Sequence, residues 1–555
     1  FNSKQLNDGV LLCPEVPIVL LSIEKIQEKD YLKEDGSWNW SFKDQEQSDF
    51  LPSRSLNRYS KTTTKTSMEE ERVINTILSE QDEPITIQGY AGTGKTWIIT
   101  QLSEALNKET TLFLAENTVQ TKTITDRTPE STALTFAYIA GIKLSVNSVG
   151  SMRHIWRRYN SKQTVTDKKL AEYLQCHAIG NYNREMVAQK ARYVVFQYCL
   201  SDDAKITLKH IQAAYFKGTE YWHQEALLSI AETLWGLICI PREKIELPVY
   251  GYHLVKALAL TSEGIPGNYL HKGVLRDCTH IIVDEMHDLS PSVHQILHHS
   301  SQPVFRFGDY YQALKGLTTP IGSPPTLRKK TLSHSVRAGA NTEKLYNNIL
   351  EKHPIKPEVD FEGSRTKSTQ VIHCKMNKIP DEYCTILTKD IWPILLIIHS
   401  LHSKNAKYHI MESAKRELKW LINDAIAFYK TGQSPRHHAL KNHASWNDFI
   451  AKNTNKIPSL LEIDSLIRSG LDFGELENFL NDSPKTTPNS YVVGRVWDSR
   501  NSEYEKVRIW DDLSESPRFS NESPAKTVSH VYTGISRAKH KLYIPERMLE
   551  RFEDF

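Results

Sequence analysis

No cysteine in this chain has a near neighbour of its own kind. The seven cysteines, at positions 13, 176, 199, 239, 278, 374 and 384, are odd in number and contain no C-x-x-C pair. That spacing excludes a disulfide framework and a zinc knuckle, and it fits a reducing compartment. Cys176 and His177 are adjacent, but one such pair without a second falls short of the usual metal-ligand spacings. Long apolar runs are also missing. Val16 to Ile23 and Ile391 to Ile398 are the most apolar stretches, far short of the ~20 residues a membrane helix needs. No membrane partner is expected, and no charged-then-apolar leader follows Phe1. Net charge is only +3. That is too little to announce a polyanionic partner by itself, although a local basic strip remains open. There is no internal repeat and no low-complexity tract.

What is present is a chain of 555 residues, 39% hydrophobic and 24% charged. Such a composition belongs to a globular protein, and at about 150 residues per domain the length predicts about three or four domains. Residues 1–66 carry few helix signals, and Ser, Asn, Lys and Thr crowd Ser53 to Ser67 as in a linker. Val16 to Ile23 reads as one strand. Periodicity then predicts a helix over Met68 to Glu80 with Val73, Ile74 and Ile77 on one face. A strand over Pro84 to Gln88, a glycine-rich turn, a helix over Trp97 to Leu106 and a strand over Thr111 to Ala115 follow. That alternation argues for a parallel sheet with crossover helices. From Gly150 to Ile265 the pattern is mostly helical. Strands return at His280 to Val283 and Val304 to Phe307, so the helical stretch interrupts one sheet domain. Further strands are expected at Thr385 to Leu387, Tyr408 to Ile410, Tyr491 to Val493, Val507 to Trp510 and Leu542 to Ile544. Leu418, Leu421, Ile422, Ala425, Ile426 and Tyr429 share one helix face, which Gly432 would end.

Two motifs carry chemistry. Gly89-Tyr-Ala91-Gly92-Thr93-Gly94-Lys95-Thr96 fits G-x-x-x-x-G-K-[ST]. Its glycines let backbone N–H groups surround phosphate oxygens, and the next helix turns its positive end to them. Lys95 reaches the β- and γ-phosphates, and the Thr96 hydroxyl is a magnesium ligand. A chance match in a chain of this length is about 2%. The second motif is an apolar strand ending in two carboxylates, Asp284 and Glu285. Asp284 would hold magnesium through water, and Glu285 would polarise the attacking water. ATP and Mg2+ are therefore the expected nucleotide and metal.

The spacing of further blocks resembles the UvrD-like superfamily 1 helicases over Ser67 to Pro545. Asp284-Glu-Met-His-Asp288-Leu-Ser-Pro291 is similar to their DEAQDLS block, with Met286 and His287 standing for Ala and Gln. Gly308-Asp309-Tyr-Tyr-Gln312 matches G-D-x-x-Q, which implies that Gln312 senses the γ-phosphate. Leu332 to Arg337 resembles L-x-x-x-[YF]-R, and Val531 to Lys539 resembles Y-V-A-x-T-R-A-[KR]. Arg337 and Arg537 are then the implied arginine fingers, fixed cations for a transition state whose charge spreads over three oxygens. Other blocks depart from the family. Glu71 stands where a Gln reads adenine. Thr135-Phe136-Ala137 lacks the His of T-[FI]-H. Arg495 to Glu503 keeps only the acid of T-x-H-x-x-K-G-x-E. The side facing ATP is kept and the strand-gripping side is eroded. Thr135 and Phe136, with Arg153, Trp156, Arg157 and Arg158 of a basic-aromatic tract, are the candidate nucleic-acid contacts.

The resemblance implies an α/β fold of two RecA-like P-loop domains with inserted, mainly helical subdomains and an N-terminal extension. The expected divisions are 1–66 (extension), 67–149 and 266–337 (first domain), 150–265 (helical insertion), 338–410 and 486–555 (second domain), and 411–485 (small helical insertion). The implied function is an ATP-dependent translocase or helicase on single-stranded nucleic acid, DNA in preference to RNA, in the cytoplasm, nucleoid or nucleus. The alternative is a nucleotide-gated regulatory or scaffolding subunit that serves a protein partner such as a nuclease. An unrelated P-loop kinase or transporter ATPase is disfavoured by the G-D-x-x-Q block and the two arginines.

Overall fold

The computed structural model describes residues 51–52, 65–128, 130–147, 158–159, 165–180, 182–211, 221–240, 247–315, 328–433, 435–440, 443–457, 459–481, 489–514, 523–546 and 548. The strand expected at Val16 to Ile23 and most of the linker lie outside them. The first described helix, α1 (Met68–Ser79), is started by a reciprocal cap. The Glu70 amide donates to Ser67 Oγ at 3.2 Å, and the Ser67 amide donates to Glu70 Oε2 at 2.7 Å. Two of the helix's unpaired N-terminal donors are satisfied this way.

A six-stranded parallel sheet follows. Its strands are β1 (Ile85–Gly89), β2 (Thr111–Ala115), β3 (Thr132–Thr135), β4 (His280–Val283), β5 (Val304–Gly308) and β6 (Arg328–Leu332), in the spatial order β6-β1-β5-β4-β2-β3. Alternation along the strands feeds two cores. Phe113 and Ile282 join Ile85, Ile87, Phe305 and Phe307 beneath α1 and α2 (Lys95–Ala105). Leu112, Leu114, Ile281 and Val283 join the core on the other face. Parallel strands buried on both faces need this doubled supply of apolar side chains. Each fully buried Ile, Leu or Phe contributes roughly 1.5–3 kcal/mol. Short helices α3 (Thr118–Arg127) and α4 (Phe136–Asn147) follow β2 and β3.

The second of those cores continues into a helical insertion, α5 (Asp167–Tyr173), α6 (Arg184–Leu200), α7 (Tyr221–Cys239) and α8 (Gly251–Ala259). A hairpin of Asn268–His271 and Val274–Asp277, which the sequence pattern did not indicate, leads back to β4. Helix α9 (Pro291–His298) follows the acidic strand end.

Strand β7 (His334–Gly339) begins two residues after β6 ends and pairs with β8 (Glu362–Ser364), with α10 (Glu343–Glu351) between them. The second six-stranded parallel sheet contains β9 (Gln370–Cys374), β10 (Thr385–Thr388), β11 (Tyr408–Ile410), β12 (Tyr491–Arg495), β13 (Tyr504–Ile509) and β14 (Ala538–Pro545), in the order β9-β14-β13-β10-β12-β11. Its core takes in α11 (Trp392–Ser403) and the helices α12 (Glu412–Thr431), α13 (Trp446–Asn453), α14 (Leu460–Arg468) and α15 (Phe473–Asn481). The predicted stop of α12 is there: Gly432 has φ +67°. Helix α16 (Pro524–Ile535) precedes β14 and is buried along its length from Ala525 except at Lys526. The fold is therefore α/β, with two parallel sheets and helical insertions. The six described cysteines are all free thiols. Among the described residues no helix is long and apolar enough to cross a membrane.

Candidate nucleotide site between two parallel sheets

The strand order decides what the loops can reach. Strand β5 lies between β1 and β4, so the turns after all three emerge side by side at the sheet's carboxyl edge, where ligands of such sheets bind. Gly89 closes β1 and Lys95 opens α2. The Lys95 ammonium donates to the Gly89 carbonyl at 2.7 Å and the Tyr90 carbonyl at 3.0 Å. Burial lowers its pKa, while Asp309, Glu285 and Asp284 pull it back up.

Two glycines of this loop have no substitute. Gly92 has φ +77°, and a Cβ there would lie 2.7 Å from both Arg337 Cβ and Ser335 Oγ. Gly94 has φ +79°, and a Cβ there would overlap Glu70 Oε1. It is thus Glu70, one residue before the position matched in the sequence, that touches the phosphate loop.

Asp284 follows β4, and its Oδ1 accepts from the Glu285 amide at 2.8 Å. Glu285 has φ +55°, a left-handed conformation that turns the chain into the short helix Met286–Asp288. Burial first, and the neighbouring Glu285 charge second, hold the Asp284 carboxyl well above the usual carboxylate range. Two adjacent acids, with the Thr96 hydroxyl lining the same cleft, are a hard-oxygen donor set that fits a divalent cation such as Mg2+. A second group, Glu417, His437 and His438, is also close enough to share an ion. There, however, Glu417 pairs with Arg495 at 2.7 Å and His437 Nδ1 accepts the Ala439 amide at 3.2 Å.

Asp309, fully buried after β5, is the hub of the cleft. Its Oδ1 accepts from Gln88 Nε2 at 3.3 Å and from the Tyr311 amide at 3.2 Å. Its Oδ2 accepts from Gln312 Nε2 at 2.8 Å and from Tyr532 Oη at 3.0 Å. The same Tyr532 hydroxyl accepts the Ala91 amide of the phosphate loop at 2.9 Å. Gln312 Oε1 accepts from Arg537 Nη2. Arg337 donates to the Ser536 carbonyl at 3.0 Å and pairs with Glu503. Arg537 is buried where it lines the cleft; burial, then the Arg337 charge, push its pKa down to about 10. One phenol and two guanidinium groups thus knit the carboxyl edge of the first sheet to α16 and β13 of the second.

Gly92, Lys95, Thr96, Asp284, Glu285, Gln312, Arg337 and Arg537 line one cleft of about 560 Å³, with Ala91, Thr93 and Gly94. Sequence reading did not assign roles to Tyr532, Glu503 or Glu70. Tyr532 and Glu503 lie inside quoted blocks, but their partners are far away in the chain.

A second cavity of about 750 Å³ adjoins the first and shares Gln120, Glu285, Gln312 and Asn501 with it. Phe136, Phe196, Tyr252, Trp497 and Arg500 line it. Thr135 caps α4, its Oγ1 accepting the Tyr138 amide at 3.1 Å. Arg158 corrects an expectation: it is 7% exposed and donates to the Leu247 carbonyl at 3.5 Å and to that of Ile238. Its guanidinium serves the inside of the insertion, which removes it from the candidate contacts. Arg153, Trp156 and Arg157 lie outside the described residues.

Residues 71–317 match a family model described as an AAA domain. Over 543 residues the chain is 19% identical to F-box DNA helicase protein 1 of Schizosaccharomyces pombe (strain 972 / ATCC 24843), covering 89% of this chain and 59% of that protein. The chain thus spans about three fifths of the length of this curated relative. Among solved structures it is similar to the crystal structure of Arterivirus nonstructural protein 10 (helicase), at 10% identity and a TM-score of 0.30, over 88% of this chain and 66% of that one. The complex of that nonstructural protein 10 (helicase) with DNA gives 11% identity and a TM-score of 0.30, over 87% and 66%.

Proposed function

We propose that the chain is a divergent superfamily 1 P-loop NTPase that hydrolyses ATP in the cleft between its two sheets and uses the cycle to move along single-stranded nucleic acid, DNA in preference to RNA. The supporting observation is the shared cleft, where Lys95 and the Asp284–Glu285 pair of one sheet meet Arg537 carried by the other. In this reading the lobes are 67–149 with 266–337 and 338–410 with 486–555, and the insertions are 150–265 and 411–485.

The phosphate-loop amides and Lys95 bind the triphosphate. Thr96 and Asp284 would hold Mg2+, which when bound neutralises phosphate charge. Glu285 takes the proton of the attacking water. Gln312 and the two arginines meet the γ-phosphoryl oxygens, so that charge developing on them draws the lobes together. Hydrolysis loosens that grip, and alternate tightening on a strand yields steps. The aromatic wall and Arg500 of the second cavity suit bases and phosphates.

ATPase rates with and without single-stranded DNA or RNA, across a salt series, test this reading. Strand stimulation that fades with salt is expected. A response flat in strand would remove the translocase and leave the nucleotide-gated subunit, which the eroded strand-gripping blocks favour. Lys95→Ala is expected to lower turnover at least about 100-fold with an unchanged circular dichroism spectrum; normal turnover would exclude the phosphate-loop assignment.

A further inference from the structure

A line of side chains runs from the nucleotide cleft into the second cavity. Glu285 Oε2 faces His287 Nε2 at 3.4 Å, and the same nitrogen is 3.8 Å from Asp288 Oδ2. Asp288 Oδ1 accepts from Arg500 Nη2 at 2.7 Å. The Arg500 guanidinium lies 3.9 Å above the centre of the Trp497 ring. The other imidazole nitrogen, His287 Nδ1, accepts the Asp309 amide at 3.1 Å. In a neutral ring Nε2 therefore carries the proton and faces two carboxylates, Glu285 nearer than Asp288, without being hydrogen-bonded to either. The Asp288 side chain is 4% exposed and that of Arg500 is 22% exposed. Asp288 is thus buried with its charge balanced by Arg500, while Arg500 can still turn toward the cavity. His287, Trp497 and Arg500 are also positions where this chain departs from the family pattern, and here the departures adjoin one another.

We propose that the Arg500–Asp288 pair is a latch: an anionic strand in the second cavity opens it, and His287 is the positioning residue that passes the change to Glu285. This rests on the reading that the cavity takes single-stranded nucleic acid. A strand phosphate competes with Asp288 for the planar fork of Arg500 while a base covers Trp497. Asp288, buried and deprived of its cation, draws the His287 N–H toward itself, because an unpaired buried charge is costly. The N–H then turns away from Glu285, whose carboxylate is open to the proton of the attacking water. Only one ion pair breaks and one N–H changes the carboxylate it faces.

The test is ATP turnover measured without any strand. Arg500→Gln removes the cation permanently, so strand-free turnover is expected to rise about tenfold. Arg500→Lys returns a cation to Asp288 and should bring turnover back down. The rise must pass through His287: the double variant Arg500→Gln/His287→Gln should turn over like His287→Gln alone, a non-additivity that simple loss of strand grip does not produce. If Arg500→Gln leaves strand-free turnover unchanged and only raises the oligo(dT) concentration for half-maximal stimulation, Arg500 is a gripping residue and the latch is wrong. If no DNA or RNA stimulates the unmodified chain, the nucleic-acid reading fails while the strand-free comparison still decides the latch. Absence of ATP hydrolysis by the unmodified chain would overturn both.

Discussion

A single phenol hydroxyl, Tyr532 Oη, accepts the Ala91 amide and donates to Asp309. Tyr532→Phe keeps the ring packing and leaves both partners short of a bond, each worth about 1–3 kcal/mol when buried. We expect kcat to fall about tenfold with the KM for ATP within about threefold. Equal losses in both would assign the hydroxyl to nucleotide binding alone. Arg537→Ala should likewise cost turnover, about 100-fold, far more than ATP affinity; nucleotide titration beside steady-state rates separates the two. Gly94→Ala meets both a left-handed backbone and the Glu70 carboxylate. Loss of ATP binding and a lower melting temperature are expected, and a normal melt with full binding would mean that Glu70 moves freely. Lys95, Thr96 and Asp284, which the structure brings into one cleft, stand out in the sequence because their motifs are local to eight or two residues. Tyr532 could not, since 441 residues separate it from Ala91.

Among the elements, the interior strands were legible, and of the four sheet edges only Tyr408–Ile410 was. His280–Val283 is apolar because both its faces are covered. Arg328–Leu332 is a sheet edge with Lys329 and Lys330 exposed, and its polar sequence hides a strand. The insertion's helices showed in their periodicity, but what they bury did not. His253 on α8 is 3% exposed, and its Nδ1 accepts the Tyr250 amide at 3.1 Å. Burial, helped by the Arg158 charge, pushes its pKa down to about 3. Burial also takes His294 on α9 down to about 4. A histidine in the unfolded chain titrates near 6.5, so as pH falls the unfolded chain takes up the proton first. Stability is therefore complete above about pH 6.5 and drains away toward pH 3–4. Thermal melts should show a loss of roughly 1–2 kcal/mol per histidine between pH 7 and pH 5. His253→Gln should flatten that acid limb, and an unchanged limb would rule His253 out as its source.

At the scale of the whole molecule, contacts between the two sheets converge on the ends that carry Gln312, Asp309 and the phosphate loop. The expected α/β class and the two-sheet plan were legible from alternating strand and helix signals. The pairing of Asp288 with Arg500 was not, because it links an acidic block to the most eroded block of the sequence.

The two arginines of the cleft differ in how they are tethered. Arg537 follows α16 and travels with the second sheet, whereas Arg337 stands five residues after Leu332, which is in register with Gly89 of the first. Ser333 and His334 are pinned there by Glu69, whose carboxylate accepts both their amides at 2.9 Å, and Val336 donates to the Gly92 carbonyl at 2.9 Å. Like a vice with one fixed and one sliding jaw, separation of the sheets would carry Arg537 away and leave Arg337 beside the phosphates.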